Sequence, residues 1–199
     1  MEKRVRSIEI SDAAAVEEIY APFVSGNATS FEVVPPAIPE IERRIREVRA
    51  RYPWLVFEAG GKVLGYAYAS SHRTRRAYQW CAEVSVYVHP SGRHCGIGRA
   101  LYTALFELLR RQGYVNAYAG ITLPNPASVG LHESLGFTPV GVFERTGFKF
   151  GQWHDVLWLQ LRLSEEPAPI QDLLPPNELF GEDRIVAALQ ECAQSVRLD

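Results

Sequence analysis

The chain has little of several features that would each have announced a class of protein. Only three of its 199 residues are cysteine: Cys81, Cys95 and Cys192, an odd number, widely spaced, with no Cys-x-x-Cys pair. That pattern excludes a disulfide framework and a zinc-finger site, predicts no metal, and suits a reducing, cytoplasmic setting. No apolar run approaches the roughly 18 residues a membrane-spanning helix needs. The opening Met-Glu-Lys-Arg-Val-Arg-Ser-Ile-Glu carries charges with no apolar core behind them, unlike a secretory signal. A net charge of −2 offers no electrostatic reason to expect nucleic acid or an anionic membrane as partner. Repeats and low-complexity tracts are missing too. What is present, 47% apolar and 22% charged residues, is ordinary for a soluble globular domain. Composition does not choose between an enzyme and a binding module.

Periodicity predicts alternating strands and helices. Residues 4–10 alternate as a first strand, Ser11-Asp12 offers an N-cap, and Val16, Ile19, Tyr20 and Phe23 have helical spacing. Pro39 fits the first turn of a second helix with Ile41, Ile45, Val48 and Tyr52 as its stripe. Residues 54–58 and 63–69 flank Gly60-Gly61 as a hairpin. The basic stretch His72-Arg73-Thr74-Arg75-Arg76 interrupts before a strand over 82–88, which Pro90 ends. A helix carrying Leu101, Leu105 and Leu108 stops at Gly113; a strand over 115–121, a helix over 126–135 and strands over 137–144 and 153–163 follow. The order β-α-α-β-β-β-α-β-α-β-β implies an α/β (α+β) domain, a mixed central sheet flanked by helices. After Leu163 the composition changes. Ser164 to Pro176 holds four prolines and reads as a linker, and Ile185, Leu189, Cys192 and Val196 mark an amphipathic helix that docks back or onto a partner. The expected division is therefore a domain over 1–163 and a helical extension over 164–199.

The segment from Val84 to Leu101 runs from a strand through a glycine turn straight into a helix. Gly96 and Gly98 strip side chains from the turn, so that backbone N–H groups and the positive end of the helix dipole face outward, a setting that suits a pyrophosphate. Gly-x-Gly alone is equally an ordinary flexible turn. A P-loop would need Gly-x-x-x-x-Gly-Lys-Ser/Thr, which the sequence does not contain. The dinucleotide fingerprint would need a small residue where Leu101 stands and an acid near residues 116–122, where none occurs. Arg93 to Gly98 does read Arg-x-x-Gly-x-Gly. It resembles the coenzyme A pyrophosphate turn of the GNAT acyltransferases, and the resemblance extends over residues 4–163. The strings Asn125 to Phe137, Gly147 to Asp155, Arg73-x-Arg75-x-Ala77-Tyr78 and Arg51-Tyr52-Pro53-Trp54 are similar to the phosphinothricin and methionine sulfoximine N-acetyltransferase branch.

The resemblance implies a GNAT fold and transfer of acetyl from acetyl-CoA to the α-amine of a small amino acid or analogue, by a homodimer. Such a reaction needs a group to take a proton from the amine and donors for the developing oxyanion. Period-2 alternation puts Glu83, Ser85 and Tyr87 on one strand face and Val84, Val86 and Val88 on the other. By position Glu83 is equally a base or a strand-end acid paired with arginine; the resemblance makes it the general base. His132 stands where many of these enzymes have a tyrosine that protonates the departing thiolate. With an ordinary pKa near 6.5, its role as base, acid or structural residue stays open. For the cofactor the resemblance implies Val86, Tyr87 and Val88 along the pantetheine arm, Arg93, His94, Cys95, Gly96, Ile97 and Gly98 at the phosphates, and Asn125 beside them. Arginines in a polar loop are ordinarily solvated, but Arg73, Arg75 and Tyr78 coincide with the family's acceptor loop, where guanidinium forks suit a carboxylate or phosphinate. Phe31 falls in a second acceptor loop; Lys149 and Trp153 lie on a late hairpin as lining or as turn residues. Gln79-Trp80-Cys81-Ala82 ahead of Glu83, Cys95 in the turn and Thr122 depart from the usual pattern. They bear on the acceptor more than on the reaction, leaving another small amine, or a non-catalytic coenzyme A-binding module, as alternatives.

Overall fold

A computed structural model describes residues 1–164 and 172–198. One seven-stranded sheet organises the chain. Its strands are β1 (Lys3–Ser7), β2 (Trp54–Ala59), β3 (Lys62–Ser71), β4 (Cys81–Val88), β5 (Asn116–Thr122), β6 (Thr138–Lys149) and β7 (Gln152–Arg162), in the spatial order β1-β2-β3-β4-β5-β7-β6. The helices are α1 (Ala13–Ser25), α2 (Ile38–Arg49), α3 (Ile97–Gln112), α4 (Pro126–Ser134), the single turn α5 (Pro176–Leu179) and α6 (Asp183–Ser195). The alternating α/β order and mixed sheet expected from periodicity are what forms. Part of the proline-rich stretch, residues 165–171, lies outside the described residues.

The two sheet faces are covered separately. On one, Leu55, Phe57, Ala67, Val84, Ala117 and Leu159 meet Leu101, Leu105 and Leu108 of α3, and the same cluster takes in Ile185, Leu189 and Val196 of the C-terminal helix and the residues after it. On the other, Val56 and Tyr66 meet Val16 and Ile19 of α1 and Ile41 and Ile45 of α2. Burial on both sides explains why β2 is buried at every position. The amphipathic stripe of α6 thus docks back onto its own chain, against α3 and β1.

All sheet pairings are antiparallel except β4 with β5. That pair is parallel and short. It joins Cys81 to Asn116, Ala82 to Ala117 and Glu83 to Tyr118, and no further. Beyond Glu83, β4 stays paired with β3 as far as Val88, and β5 stays paired with β7 as far as Thr122. The facing edges of β4 and β5 therefore part like a wedge, leaving strand N–H and C=O groups without a strand partner.

Three local expectations need correction. The first strand stops at Ser7, because Ile10–Asp12 winds into a 3-10 turn ahead of α1. Asp12 stands at the N-cap position of α1 but makes no side-chain cap bond there; its carboxylate takes the Glu9 N–H at 2.8 Å and both outer nitrogens of Arg6, at 2.7 and 2.9 Å. The late hairpin is longer than its alternation suggests. Strand β6 runs on to Lys149 and turns at Phe150-Gly151, both at positive φ (51° and 76°), which suits a tight hairpin turn.

Arg6 ties β1, β2 and the start of α1 together, since it also reaches Glu58 at 2.8 Å. Burial raises the Asp12 carboxyl, but Arg6 and the Glu9 N–H outweigh it and hold the group below the usual carboxylate range; Arg6 does the same for Glu58. Carboxyls depressed in this way stabilise the fold above the unfolded-state pKa of about 4, and that contribution is lost as pH falls through the folded-state values. Arg6→Ala should cost about 3 kcal/mol at neutral pH and flatten the acid-side fall in stability. Urea titrations between pH 3 and 7 test this; an unchanged acid profile would reject the clamp.

Candidate active site

The wedge opens into a cavity lined by Val84, Ser85, Val86 and Tyr87 of β4, by residues 119–122 of β5, and by Thr29, Tyr102, Asn125, Ser128 and His132; it offers about 60 Å³. Its walls follow from local sequence. Tyr87 turns its ring under α1, 5.0 Å from Tyr20 and 5.1 Å from Phe23. Asn125 Oδ1 accepts the Ser128 N–H at 3.1 Å and so caps α4, with Pro126 in the first turn where no N–H is needed. That cap aims α4 across the wedge and brings His132 to Tyr102.

His132 is almost fully enclosed, at 3% exposure, and both ring nitrogens are engaged. Nδ1 lies 2.7 Å from the Ser128 carbonyl, which can only accept, so Nδ1 carries the proton. Nε2, 3.1 Å from the Tyr102 hydroxyl, is then the acceptor of that O–H. Burial pushes the His132 pKa below its ordinary value, against the hydrogen bond to Ser128. A neutral imidazole holding a buried tyrosine hydroxyl is the result; burial keeps Tyr102 protonated.

Glu83 lies at the apex of the wedge, on the α1/α2 side. Its carboxylate accepts from His72 Nδ1 at 3.1 Å, and His72 stacks on Tyr118 with ring centres 4.3 Å apart. Burial pushes the Glu83 carboxyl above the usual carboxylate range, opposed by His72 and by the charge of Arg73. Tyr78 sits edge-on to His72 at 6.3 Å, and Trp158 does so at 6.0 Å, its indole N–H buried without a partner among the described residues. Arg73 and Arg75 also line a larger cleft of about 770 Å³ with Arg51 and Arg76, walled on its far side by residues 172–175. Of the acceptor residues expected from sequence, Tyr78 reaches the His72 that holds Glu83, Arg73 lies close enough for its charge to act on Glu83 while also lining the outer cleft, and Arg75 lines that cleft.

The glycine turn connects to the open end of the wedge. The first intrahelical bond of α3 is Ala100 N–H to the Gly96 carbonyl, so the N–H groups of Ile97, Gly98 and Arg99 are left over. Gly96 sits at φ 90°, and His94 at 64°. Gly98 has a packing reason as well: a Cβ there would lie 3.2 Å from Leu131 of α4. Ile97 contributes only its backbone, its side chain being buried against Gly65 and Gly92. Arg93 rides over the Phe23 ring at 5.6 Å, while Arg99 is spent on the Ser134 carbonyl and hydroxyl.

A family profile, Acetyltransferase (GNAT) domain, matches residues 5–158. The chain belongs to the GNAT acetyltransferase family. It is 38% identical over 175 residues to a phosphinothricin N-acetyltransferase of Streptomyces viridochromogenes, covering 88% of this chain and 95% of that one. It is 37% identical over 169 residues to an L-methionine sulfoximine/L-methionine sulfone acetyltransferase of Salmonella typhimurium, covering 83% and 97%. A crystal structure of a GNAT superfamily phosphinothricin acetyltransferase from Sinorhizobium meliloti in complex with AcCoA superposes with a TM-score of 0.82 at 34% identity, over 88% of this chain and 97% of that one.

Several residues of this GNAT acetyltransferase carry the site without a signal in the sequence. His72, Tyr118 and Trp158 come from three separate strands or strand ends, and Tyr102 looks like one more apolar position of α3. Lys149, read as lining or turn residue, is a strut. Its buried ammonium donates to the carbonyls of Val24, Asn27 and Ser30 at 2.6, 3.1 and 2.7 Å. It thereby fixes the loop that holds Phe31, whose ring covers Gly147 so closely that any Cβ there would collide with it. Lys149→Met orphans those carbonyls and should cost roughly 2–3 kcal/mol in urea denaturation. A change below about 0.5 kcal/mol, the range of neutral surface substitutions, would reject the strut.

Proposed function

We propose that this GNAT acetyltransferase moves acetyl from acetyl-CoA to the α-amine of a small amino acid or analogue, with phosphinothricin and methionine sulfoximine as first acceptors to test. The observation that carries the proposal is the wedge: unpaired strand edges run from a turn of free amides to an apex where a carboxyl with a raised pKa waits. The extended pantetheine arm pairs with the β4 edge at Val86, Tyr87 and Val88, as an added strand would. The phosphates meet the amides of residues 96–98, with Arg93 and His94 at the rim and Asn125 beside the arm. The acceptor enters from the Glu83 side, between Phe31, Tyr78 and the Arg73–Arg75 loop, where a guanidinium takes its carboxylate.

In this scheme Glu83 takes the proton that the acceptor ammonium must lose, directly or through water, and His72 holds the carboxylate in place. The amine nitrogen then bonds to the thioester carbonyl carbon, and unpaired β4 amides receive the oxyanion. As the tetrahedral centre collapses, the C–S bond breaks and the second proton on the attacking nitrogen passes to the leaving sulfur, so that a neutral amide and a free thiol result, the thiol departing on the Tyr102 side. His132 acts through that tyrosine by fixing its hydroxyl, and the neutral state forced by burial suits the task. A raised Glu83 pKa means that the base is ionised only above that value, so kcat/KM should rise with pH through it and lose this limb in Glu83→Gln. A thiol-release assay over a panel of amino acids, analogues and simple amines tests the reading. Glu83→Gln should lower kcat by roughly 100-fold or more while acetyl-CoA still binds. A chain that binds acetyl-CoA but acetylates nothing in the panel would instead be a coenzyme A-binding module.

A homodimer completes the proposal. Strand β6 is an edge of the sheet and stays exposed over most of its length. Val142, Phe143, Phe148, Phe150 and Trp153 open apolar side chains along this arm, an arrangement that a second copy of the chain would cover. The three free cysteines fit a cytoplasmic setting. Sedimentation should find a dimer, and Phe148→Glu combined with Phe150→Glu should yield monomer; a wild-type monomer would remove this part.

A further inference from the structure

The family profile ends at residue 158, yet the chain after it returns to the phosphate turn. α6 is clamped to α3 by Arg111 on Glu182, at 2.8 and 2.9 Å, and by Arg184 on Glu107 at 2.7 Å. Ile185, Leu189, Cys192, Ala193 and Val196 lie in the same core as α3. Past the helix the backbone extends and is stitched from both sides. Lys3 Nζ donates to the Val196 carbonyl at 2.8 Å, and the Arg197 N–H donates to the Cys95 carbonyl at 3.0 Å.

Cys95 precedes Gly96, the residue at φ 90° that opens the turn. A row of outward amides can receive a phosphate only if the intervening carbonyls point elsewhere, because a carbonyl oxygen turned toward the anion repels it. We propose that the C-terminal segment is a working part of the coenzyme A site: the Arg197 N–H, by taking the Cys95 carbonyl, holds the turn with its amides facing outward. Arg197 is thus a positioning residue acting through its backbone. The inference rests on reading residues 93–99 as the coenzyme A phosphate turn.

Titration calorimetry of acetyl-CoA into the full-length chain, with steady-state kinetics, tests both levels. Arg197→Pro deletes the N–H, and the preceding Val196 is already extended (ψ 134°), as a residue before proline should be. It should weaken acetyl-CoA binding about tenfold, the equivalent of one hydrogen bond, and raise the acetyl-CoA KM likewise. The acceptor KM and kcat at saturating acetyl-CoA should stay near wild type, which a general loosening of the fold would not allow. Arg197→Ala keeps the N–H and should lose at most about threefold, the worth of an exposed charge. His94→Asp, an exposed site whose φ of 64° aspartate tolerates, probes the turn itself by repelling phosphate. If His94→Asp weakens acetyl-CoA and Arg197→Pro does not, or if alanine costs as much as proline, the bracing role is wrong. If His94→Asp binds like wild type, the phosphate-turn reading fails instead.

Discussion

Everything at the site depends on β4 and β5 pairing for three residues and then parting. A parallel pair normally satisfies the main-chain groups of both strands; here those groups beyond Glu83 and Tyr118 are left to another extended partner. The remainder of the sheet is arranged so that the opening does not collapse. β4 is held from behind by β3 from Ala82 to Val88 and β5 by β7, while the core under α3 closes one face and the aromatic cluster under α1 the other. A gap between strands is tolerable only with such support, since exposed strand edges invite the wrong partner.

Two polar devices sit on opposite sides of that gap and work by opposite electrostatics. On the α1/α2 side, burial raises the Glu83 carboxyl while His72 and Arg73 restrain the rise. On the α3/α4 side, burial lowers the His132 imidazole, and its two hydrogen bonds fix one tautomer. Neither side chain is free to wander. Each is locked by a residue from a different element, and the chemistry is therefore coupled to the packing of the sheet rather than to any flexible loop.

Buried or half-buried charge is used as carpentry elsewhere as well. Arg6 gathers two carboxylates to join β1, β2 and α1, and Lys149 gathers three carbonyls to fasten the Phe31 loop to the late hairpin. These groups resemble catalytic residues in type and in perturbed titration, but their partners are all saturated by the chain itself. The C-terminal helix belongs with them: its ion pairs and apolar stripe bring a main-chain donor back to the turn at the far end of the wedge.

By itself the sequence determined the order of elements, the amphipathic faces and the glycine turn, because these depend on period and on residues whose conformational limits are local. Glu83 on one face of β4 and Asn125 at the start of α4 were legible for the same reason. The tertiary structure alone decided where β4 leaves β5, that His72 rather than an arginine holds Glu83, and that Tyr102 holds His132. Those are contacts between residues 11 or more positions apart, and no periodicity encodes them. The same is true of Arg197 and Cys95: an amphipathic stripe predicts that a helix will dock, but only the packed core says against what.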